Sequence, residues 1–368
     1  MPRFTIFCII FLFLVNPLQA ATMPPYERQQ ALTSNLSVPT AVAVDASQNI
    51  YVVEASTNRL LMYNSFGEHL KTLDGLNEPI SVAVDANGKI LIGNKAGGNV
   101  EVYTSDLTLQ FKLGLGDGEF MQPSSIGIAE NGNMYVVDSD ADMISVYSSD
   151  GRYDFSFGTP GTGNGEFHFP VAIAIDHVAQ ELIISDLQLF DSTEDLSNGA
   201  RIQVFNLNGS FKRSFAVQGV GDGKLSKPLG LVVDDEGRIY ISDILQDMVQ
   251  VFDGNGIFLG KISDPENPIK TPLGLALSDK QQLFVASLAA AKIEVFGNVG
   301  LKAALTPSSP PSSAQGSGSS ASNGPTTSPS GISSDPDPET VIPEPATLLL
   351  VASGLLGILA FGRKKQKR

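Results

Sequence analysis

The chain has 368 residues, of which 42% are hydrophobic, enough for one large domain with extensions. It carries 39 acidic and 24 basic residues, a formal net charge of −15, and a field of that sign disfavours nucleic acid or anionic membrane as a direct partner. The single cysteine, Cys8, lies in the first apolar segment, so the chain without that segment has no disulfide, thiol nucleophile or thiolate metal site.

Residues 1–20 have the pattern of a secretory signal peptide. Arg3 supplies a basic start, an apolar core follows, and small residues lead to a predicted cleavage site after Ala20. Export of this kind implies the Sec translocon and a signal peptidase as partners.

Six segments then repeat one pattern at intervals of 40 to 58 residues. Each has a proline, an apolar run, a polar turn, a second apolar run that ends in a polar residue, a loop, and a third run that closes on an aromatic residue. Short β-type runs at this period predict a propeller in which each repeat is one four-stranded blade. The blades start near Pro39, Pro79, Pro123, Pro170, Pro228 and Pro272.

The repeats resemble a known family. Ile239–Asp243 followed by Met248–Phe252, and residues 133–138 followed by 144–147, resemble NHL repeats, and the Gly-rich connectors at 116–120, 163–167 and 221–225 are similar to the linkers of that family. The resemblance covers residues 26–297. It implies an all-β, six-bladed propeller of the NHL/TolB-like type over residues 22–300.

The sixth repeat has no clear fourth strand after Phe296, whereas residues 26–32 precede the first repeat without a blade of their own. We expect residues 26–35 to complete blade six and so to remove an open sheet edge. Residues 301–305 are the alternative source of that strand.

Because neighbouring strands of a blade are antiparallel, the tight turns should lie on one face of the ring and the longer loops on the other. Long loops on a rigid scaffold commonly carry binding residues. The long-loop side is therefore the candidate interaction surface. It includes loops 114–122, 158–169, 217–227 and 263–271, and the insertion at 187–200 with Asp191, Glu194 and Asp195.

Polar residues at the ends of the second strands share one register on that side. Hard oxygen ligands around an axis suit Ca²⁺ or Mg²⁺. Alternatively, NHL-like repeats usually carry Asp here, where it hydrogen-bonds the backbone of its own loop. Asp140 and Asp142 belong to a second acidic group near the third of these positions. The metal candidates are Glu54, Asn94, Asp138, Asp186 and Asp243, with Ser287 at the sixth position.

Other catalytic arrangements are not indicated. Lactonase-like propellers generally place metal ligands directly after the blade proline, where this chain has Thr40, Ile80, Ser124, Val171, Leu229 and Leu273. Zinc lyases with a related propeller use several histidines, but His69, His168 and His177 fall on different parts of the scaffold. No catalytic residue and no firm cofactor is therefore assigned.

The C-terminal part changes character. Residues 301–340 are rich in Ser, Pro and Gly, which predicts a disordered linker. The apolar segment 346–362 would span roughly 25 Å as a helix, near the lower limit for a bilayer, and the basic residues after it should stay in the cytoplasm. Those basic residues are Arg363, Lys364, Lys365, Lys367 and Arg368.

Pro343, Glu344 and Pro345, followed by one short apolar helix and a basic tail, resemble a PEP-CTERM sorting signal. The resemblance implies a transient inner-membrane anchor that an exosortase-type enzyme cuts near this triad, and then a place at the cell surface or in the extracellular matrix. A permanent anchor is the alternative. We expect a non-catalytic module that binds a surface protein or exopolysaccharide; an extracellular divalent-metal hydrolase or lyase is the alternative function.

Overall fold

The structure is a computed structural model that describes residues 22–114, 120–188 and 200–298. The predicted signal peptide, linker, PEP-CTERM triad, transmembrane helix and basic tail lie outside these residues, as do Asp191, Glu194 and Asp195. Within the described ranges, no helix is long and apolar enough to cross a bilayer.

The described chain forms six four-stranded antiparallel sheets and one short parallel pair. In chain order the strands are β1 (Tyr26–Arg28); β2 (Ala41–Val44), β3 (Ile50–Glu54), β4 (Arg59–Tyr63) and β5 (His69–Asp74) of blade one; β6 (Pro79–Val84), β7 (Ile90–Asn94), β8 (Asn99–Tyr103) and β9 (Leu109–Leu113) of blade two; and β10 (Pro123–Ile128), β11 (Met134–Asp138), β12 (Met143–Tyr147) and β13 (Tyr153–Phe157) of blade three.

The second half continues with β14 (Pro170–Asp176), β15 (Glu181–Asp186), β16 (Arg201–Asn206) and β17 (Phe211–Phe215) of blade four; the parallel pair β18 (Val217–Gln218) and β19 (Lys224–Leu225); β20 (Pro228–Val233), β21 (Ile239–Asp243), β22 (Met248–Phe252) and β23 (Phe258–Ile262) of blade five; and β24 (Pro272–Leu277), β25 (Gln282–Ser287) and β26 (Lys292–Asn298) of blade six.

The first strands of the blades, β2, β6, β10, β14, β20 and β24, contact one another in a closed ring, with β24 returning to β2. The predicted all-β, six-bladed propeller is therefore confirmed. Apolar clusters fill the spaces between blades one and two, two and three, three and four, four and five, and five and six. Each fully buried Val, Ile or Leu in these clusters contributes about 1.5 to 3 kcal/mol, which explains strands that are apolar on both faces.

The ring has two faces. The side with the four-residue turns between first and second and between third and fourth strands is the turn face, and the side with the remaining loops is the loop face. On the turn face Gly256 has a φ of 85°, and a Cβ there would lie 2.2 Å from Cγ of Phe215. Only glycine fits this turn, because blade four already occupies the space beside it.

Near the axis, polar bonds join every pair of neighbouring blades. In five cases a hydroxyl in or next to the first or second strand of one blade donates to a carbonyl of the next: Thr40 to Pro79, Ser81 to Pro123, Ser139 to Pro170, Ser185 to Pro228 and Ser242 to Leu273. At the sixth junction the amide of Gly274 donates to the carbonyl of Thr40.

Blade six takes its outermost strand from the start of the chain, in the order β1-β26-β25-β24. Leu32 exchanges two backbone hydrogen bonds with Ile293, and its side chain lies against Gly67 of blade one. Because β1 runs antiparallel to β26, the chain enters the propeller before Tyr26 and leaves it after Asn298 on the same side. That side is the turn face.

Leu32 is therefore expected to hold the ring closed. Replacing this buried side chain with Ala should lower the free energy of unfolding by about 2 to 4 kcal/mol. Thr33→Ala, at the exposed neighbouring position, is the control and should leave the urea unfolding midpoint nearly unchanged. Equal midpoints for Leu32→Ala and the unaltered protein would contradict this account.

Candidate functional site

The polar residues that end the second strands lie directly beside the start of each blade. Pro79 pairs with Asn94, Pro123 with Asp138, and Pro228 with Asp243 in the register of the first two strands. Each strand-end side chain can therefore reach the connector that enters its own blade from the loop face.

In blades one, three and five the strand-end acid accepts hydrogen bonds from the amides of both residues before the proline. Asp138 accepts from Met121 at 2.8 Å and Gln122 at 2.9 Å, and Asp243 accepts from Ser226 at 2.6 Å and Lys227 at 3.1 Å. Glu54 accepts from Ser37 and Val38 in the same way. The acid thus closes its blade at the entry of the inner strand.

Blades two, four and six vary this arrangement. Of the two amides before the proline, only one donates to the strand-end side chain: that of Asn77 to Asn94 at 3.1 Å, and that of His168 to Asp186 at 2.9 Å. Ser287 reverses the polarity, because its hydroxyl donates to the carbonyl of Lys270 at 2.8 Å.

Side chains occupy further lone pairs of these groups. Arg59 forms an ion pair with Glu54 at 2.7 Å, Arg201 one with Asp186 at 3.0 Å, and the amide of Gln246 donates to Asp243 at 2.7 Å. The strand-end residues are at most 2% exposed, and in the described ranges no three His, Cys, Asp or Glu side chains group as metal ligands. The Ca²⁺ or Mg²⁺ site stays a prediction, and the bonding of its candidate ligands does not favour it.

Burial and hydrogen bonding compete at these acids. Burial raises the pKa of Asp138 and of Asp186 above the ordinary value, although backbone amides stabilise both carboxylates. For Glu54 burial acts in the same direction, but the amides of Ser37 and Val38 together with Arg59 outweigh it, and its pKa is lowered. Among Glu54, Asp138 and Asp186, the charged form is therefore favoured only at Glu54, where two backbone amides and Arg59 act together against burial.

The sequence predicts that each acid bonds the backbone of the loop that follows it. Backbone amides of that loop do donate to two of these acids, Ala141 to Asp138 at 3.4 Å and Leu245 to Asp243 at 3.2 Å, whereas Glu54 accepts from the side-chain hydroxyl of Thr57 at 2.9 Å. The main partners, the residues before the proline, were missed. A signal was present, since the polar residue lies 15 residues after the proline in five blades and 16 in blade four.

The loop face carries three exposed large apolar residues among those described: Met121, Val220 and Leu245. Val220 and Leu245 belong to two loops that hydrogen bonds hold together. Gln246 accepts from the amide of Gly221 at 2.7 Å and donates to the carbonyl of Lys224 at 2.9 Å. This part of the face is therefore built from ordered loops with an apolar surface.

Comparison with known proteins supports the two resemblances. Residues 341–365 match the PEP-CTERM protein-sorting motif. The repeats are similar to two NHL-repeat proteins: protein brain tumor of Drosophila melanogaster, 27% identical over 150 residues, and protein lin-41 of Caenorhabditis elegans, 34% identical over 70 residues. These matches cover 41% and 19% of this chain but only 13% and 6% of those proteins.

Solved structures with the same fold include enzymes. A gluconolactonase from Xanthomonas campestris superposes with a TM-score of 0.56 at 19% identity, covering 73% of this chain and 88% of the other. A streptogramin B lyase gives 0.54 at 12% identity, covering 74% and 97%. Virginiamycin B lyase from Staphylococcus aureus gives 0.52 at 14% identity, covering 72% and 82%. At these identities the likeness concerns the fold alone.

The fold and the motif together define a six-bladed β-propeller protein with a PEP-CTERM C-terminus. The motif indicates export and sorting to the cell surface, with processing by an exosortase-type enzyme.

Glu54 should make stability depend on pH. Its folded-state pKa lies below the ordinary value of 4.5, so its contribution is present above about pH 4.5 and is lost as pH falls through the folded-state pKa. Glu54→Gln should therefore cost about 2 kcal/mol or more at pH 7, because hydrogen bonds to a charged group are lost, and much less at pH 3.

Urea unfolding at the two pH values measures this difference. Glu68→Gln, in an exposed turn of the same blade, is the matched control and should have little effect at either pH. A cost for Glu54→Gln that is the same at pH 3 and pH 7 would argue against the charged bond.

Proposed function

We propose that this propeller is a non-catalytic binding module that is held at the cell surface or in the extracellular matrix and binds a surface protein or an exopolysaccharide with its loop face. The observation that carries the proposal is the side on which the chain enters and leaves the propeller. The chain does both on the turn face, as the antiparallel pairing of β1 and β26 requires. Asn298, the last described residue before the sorting motif, thus lies on the side opposite the loops.

The charge of the domain favours certain partners. Residues 22–300 contain 17 basic and 35 acidic residues, a formal net charge of −18. Such a surface attracts basic patches and repels polyanions. A protein partner with a basic contact region, or a neutral or cationic polysaccharide, fits it better than an anionic polymer.

The bonding of the strand-end acids supports binding rather than catalysis. A metal-dependent hydrolase needs ligands that remain available to an ion. Here the oxygens of Glu54, Asp138 and Asp243 accept backbone amide bonds that close the blades. A metal would have to replace bonds on which the blade entry depends.

Matched variants on the two faces test the location of binding. Val220 and Leu245 on the loop face are 77% and 53% exposed, and Phe66 and Ile257 on the turn face are 87% and 63% exposed. Val220→Asp with Leu245→Asp should weaken saturable binding of the full-length protein to surface material of the producing cell by about tenfold or more, the loss expected when interface apolar groups are replaced. Phe66→Asp with Ile257→Asp should leave it unchanged.

The opposite pattern, with loss of binding only for the turn-face pair, would overturn the proposal. Chelator treatment in the same assay should not alter binding. Hydrolysis or elimination of a substrate that a chelator abolishes and Ca²⁺ or Mg²⁺ restores would instead support the metal-dependent enzyme.

A second prediction concerns sorting. Glu344→Ala should block exosortase-type processing, since it removes the one charge of the Pro-Glu-Pro triad within the matched motif. Immunoblots of cell fractions should then show a larger species retained in the inner membrane, and less protein at the surface. Glu339→Ala, just before the motif, is the control. Unchanged size and location for Glu344→Ala would count against cleavage near this triad.

A further inference from the structure

The residue that precedes each blade proline, here the entry residue, takes two conformations that alternate around the ring. In blades two, four and six the entry residues Glu78, Phe169 and Thr271 have positive φ values of 55°, 71° and 51°. The entry residues of blades one, three and five, Val38, Gln122 and Lys227, do not. Positive φ is unfavourable for bulky and β-branched residues such as Phe and Thr, so something must hold it.

The hydrogen bond of the entry amide alternates in the same way. In blades two, four and six this amide donates to a side chain of the preceding blade: Glu78 to Asn58 at 2.8 Å, Phe169 to Asp142 at 2.7 Å, and Thr271 to Asp247 at 2.9 Å. In blades one, three and five the entry amide donates to the strand-end acid of its own blade. Three junctions therefore carry an inter-blade bond that we call the entry lock.

The accepting side chains also occur in every second blade. Asn58, Asp142 and Asp247 lie four residues after the strand-end position, each with positive φ near 50°. The same position holds Gly98 in blade two and Ala291 in blade six, which have no side-chain acceptor. In blade four it falls in residues 189–199, outside the described ranges.

A second feature has the same period. The second-strand position three residues before the strand end is tyrosine in odd blades and aliphatic or phenylalanine in even blades. Tyr135 donates to the carbonyl of Leu207 in blade four at 2.9 Å, and Tyr240 accepts from Tyr26, in the outer strand of blade six, at 3.3 Å. Tyr51 bonds within its own blade. The tyrosines are Tyr51, Tyr135 and Tyr240; the even-blade residues are Leu91, Ile183 and Phe284.

We infer that the ring is assembled from three two-blade units: blade one with blade two, blade three with blade four, and blade five with blade six. The ring opens first between blades two and three and between blades four and five. Apolar clusters occupy both kinds of junction, so they do not distinguish them. The entry lock distinguishes them, because it occurs only at the junctions within the proposed units. Away from the axis, junctions two–three and four–five are bridged by long cationic side chains, Lys89 to the carbonyl of Ser149 and Arg213 to that of Gly254.

The strained entry residues follow from this arrangement. Positive φ at Thr271 turns its amide towards Asp247, and that bond in turn maintains the conformation. When the lock is removed, the conformation loses its support. Loss of one lock should therefore loosen one junction and leave the others unchanged.

Hydrogen exchange of the full-length protein, followed by mass spectrometry of its peptides, tests the inference. Asp247→Ala should speed exchange of the amides at the entry of blade six, around residues 270–273, by about tenfold or more. The entries of blades two and four should not change. Asp253→Ala is the matched control, because Asp253 accepts backbone amides only within its own turn of the same blade, and its effect should stay near residues 253–257.

The unaltered protein supplies an independent readout. In low urea, the entries of blades three and five should exchange before those of blades two, four and six. Equal protection of all these entries, or equal loosening of junctions four–five and five–six in Asp247→Ala, would overturn the assignment of two-blade units.

Discussion

The closed ring depends on how backbone groups near the axis are satisfied. Buried polar groups must be hydrogen-bonded, and a proline at the start of an inner strand offers a carbonyl but no amide. In this propeller the hydroxyls of Ser81, Ser139 and Ser185 donate to the proline carbonyl of the following blade. A bulge after the proline, seen in the register of blades two to six, accompanies this contact. These proline carbonyls therefore receive a hydrogen bond only when the preceding blade is in place, so the inner strand of such a blade is not fully hydrogen-bonded on its own.

The same requirement explains why the acids of the loop face, the candidate metal ligands, are already engaged in hydrogen bonds. A carboxylate that is almost fully buried is costly unless several donors surround it, and the amides before the blade proline are such donors. Asp138 and Asp243 therefore close their own blades. The loops of this face do present side chains to solvent, among them the exposed apolar side chains of Val220 and Leu245.

Much of the fold could be predicted from the sequence because each repeat is recognisable from residues that are close together along the chain. The prolines, the turn glycines and the closing aromatics such as Tyr63 and Phe252 give six blades and their strands. The partner of a given backbone amide cannot be read from neighbouring residues in the sequence. That the amide of Glu78 points to Asn58, while that of Gln122 points to Asp138, depends on the φ of the entry residue and on a partner in another blade. The tyrosine in alternate blades was visible in the sequence, but its role needs the neighbouring blade in place.

Ring closure also sets the order in which the strands of the propeller can pair as the chain is made. Leu32 pairs with Ile293, so the first strand of the propeller cannot find its partner until nearly the whole domain has been made. Pairings of such large sequence separation form late, because the entropy cost of closing the loop comes before the contacts that offset it. A chain made from its N-terminus therefore holds β1 unpaired until β26 follows, only some 40 residues before the sorting motif. Until then β1 has a free edge, and an open edge of this kind favours pairing with another chain. The last edge of the propeller is thus covered only when the chain has been made nearly up to the sorting motif.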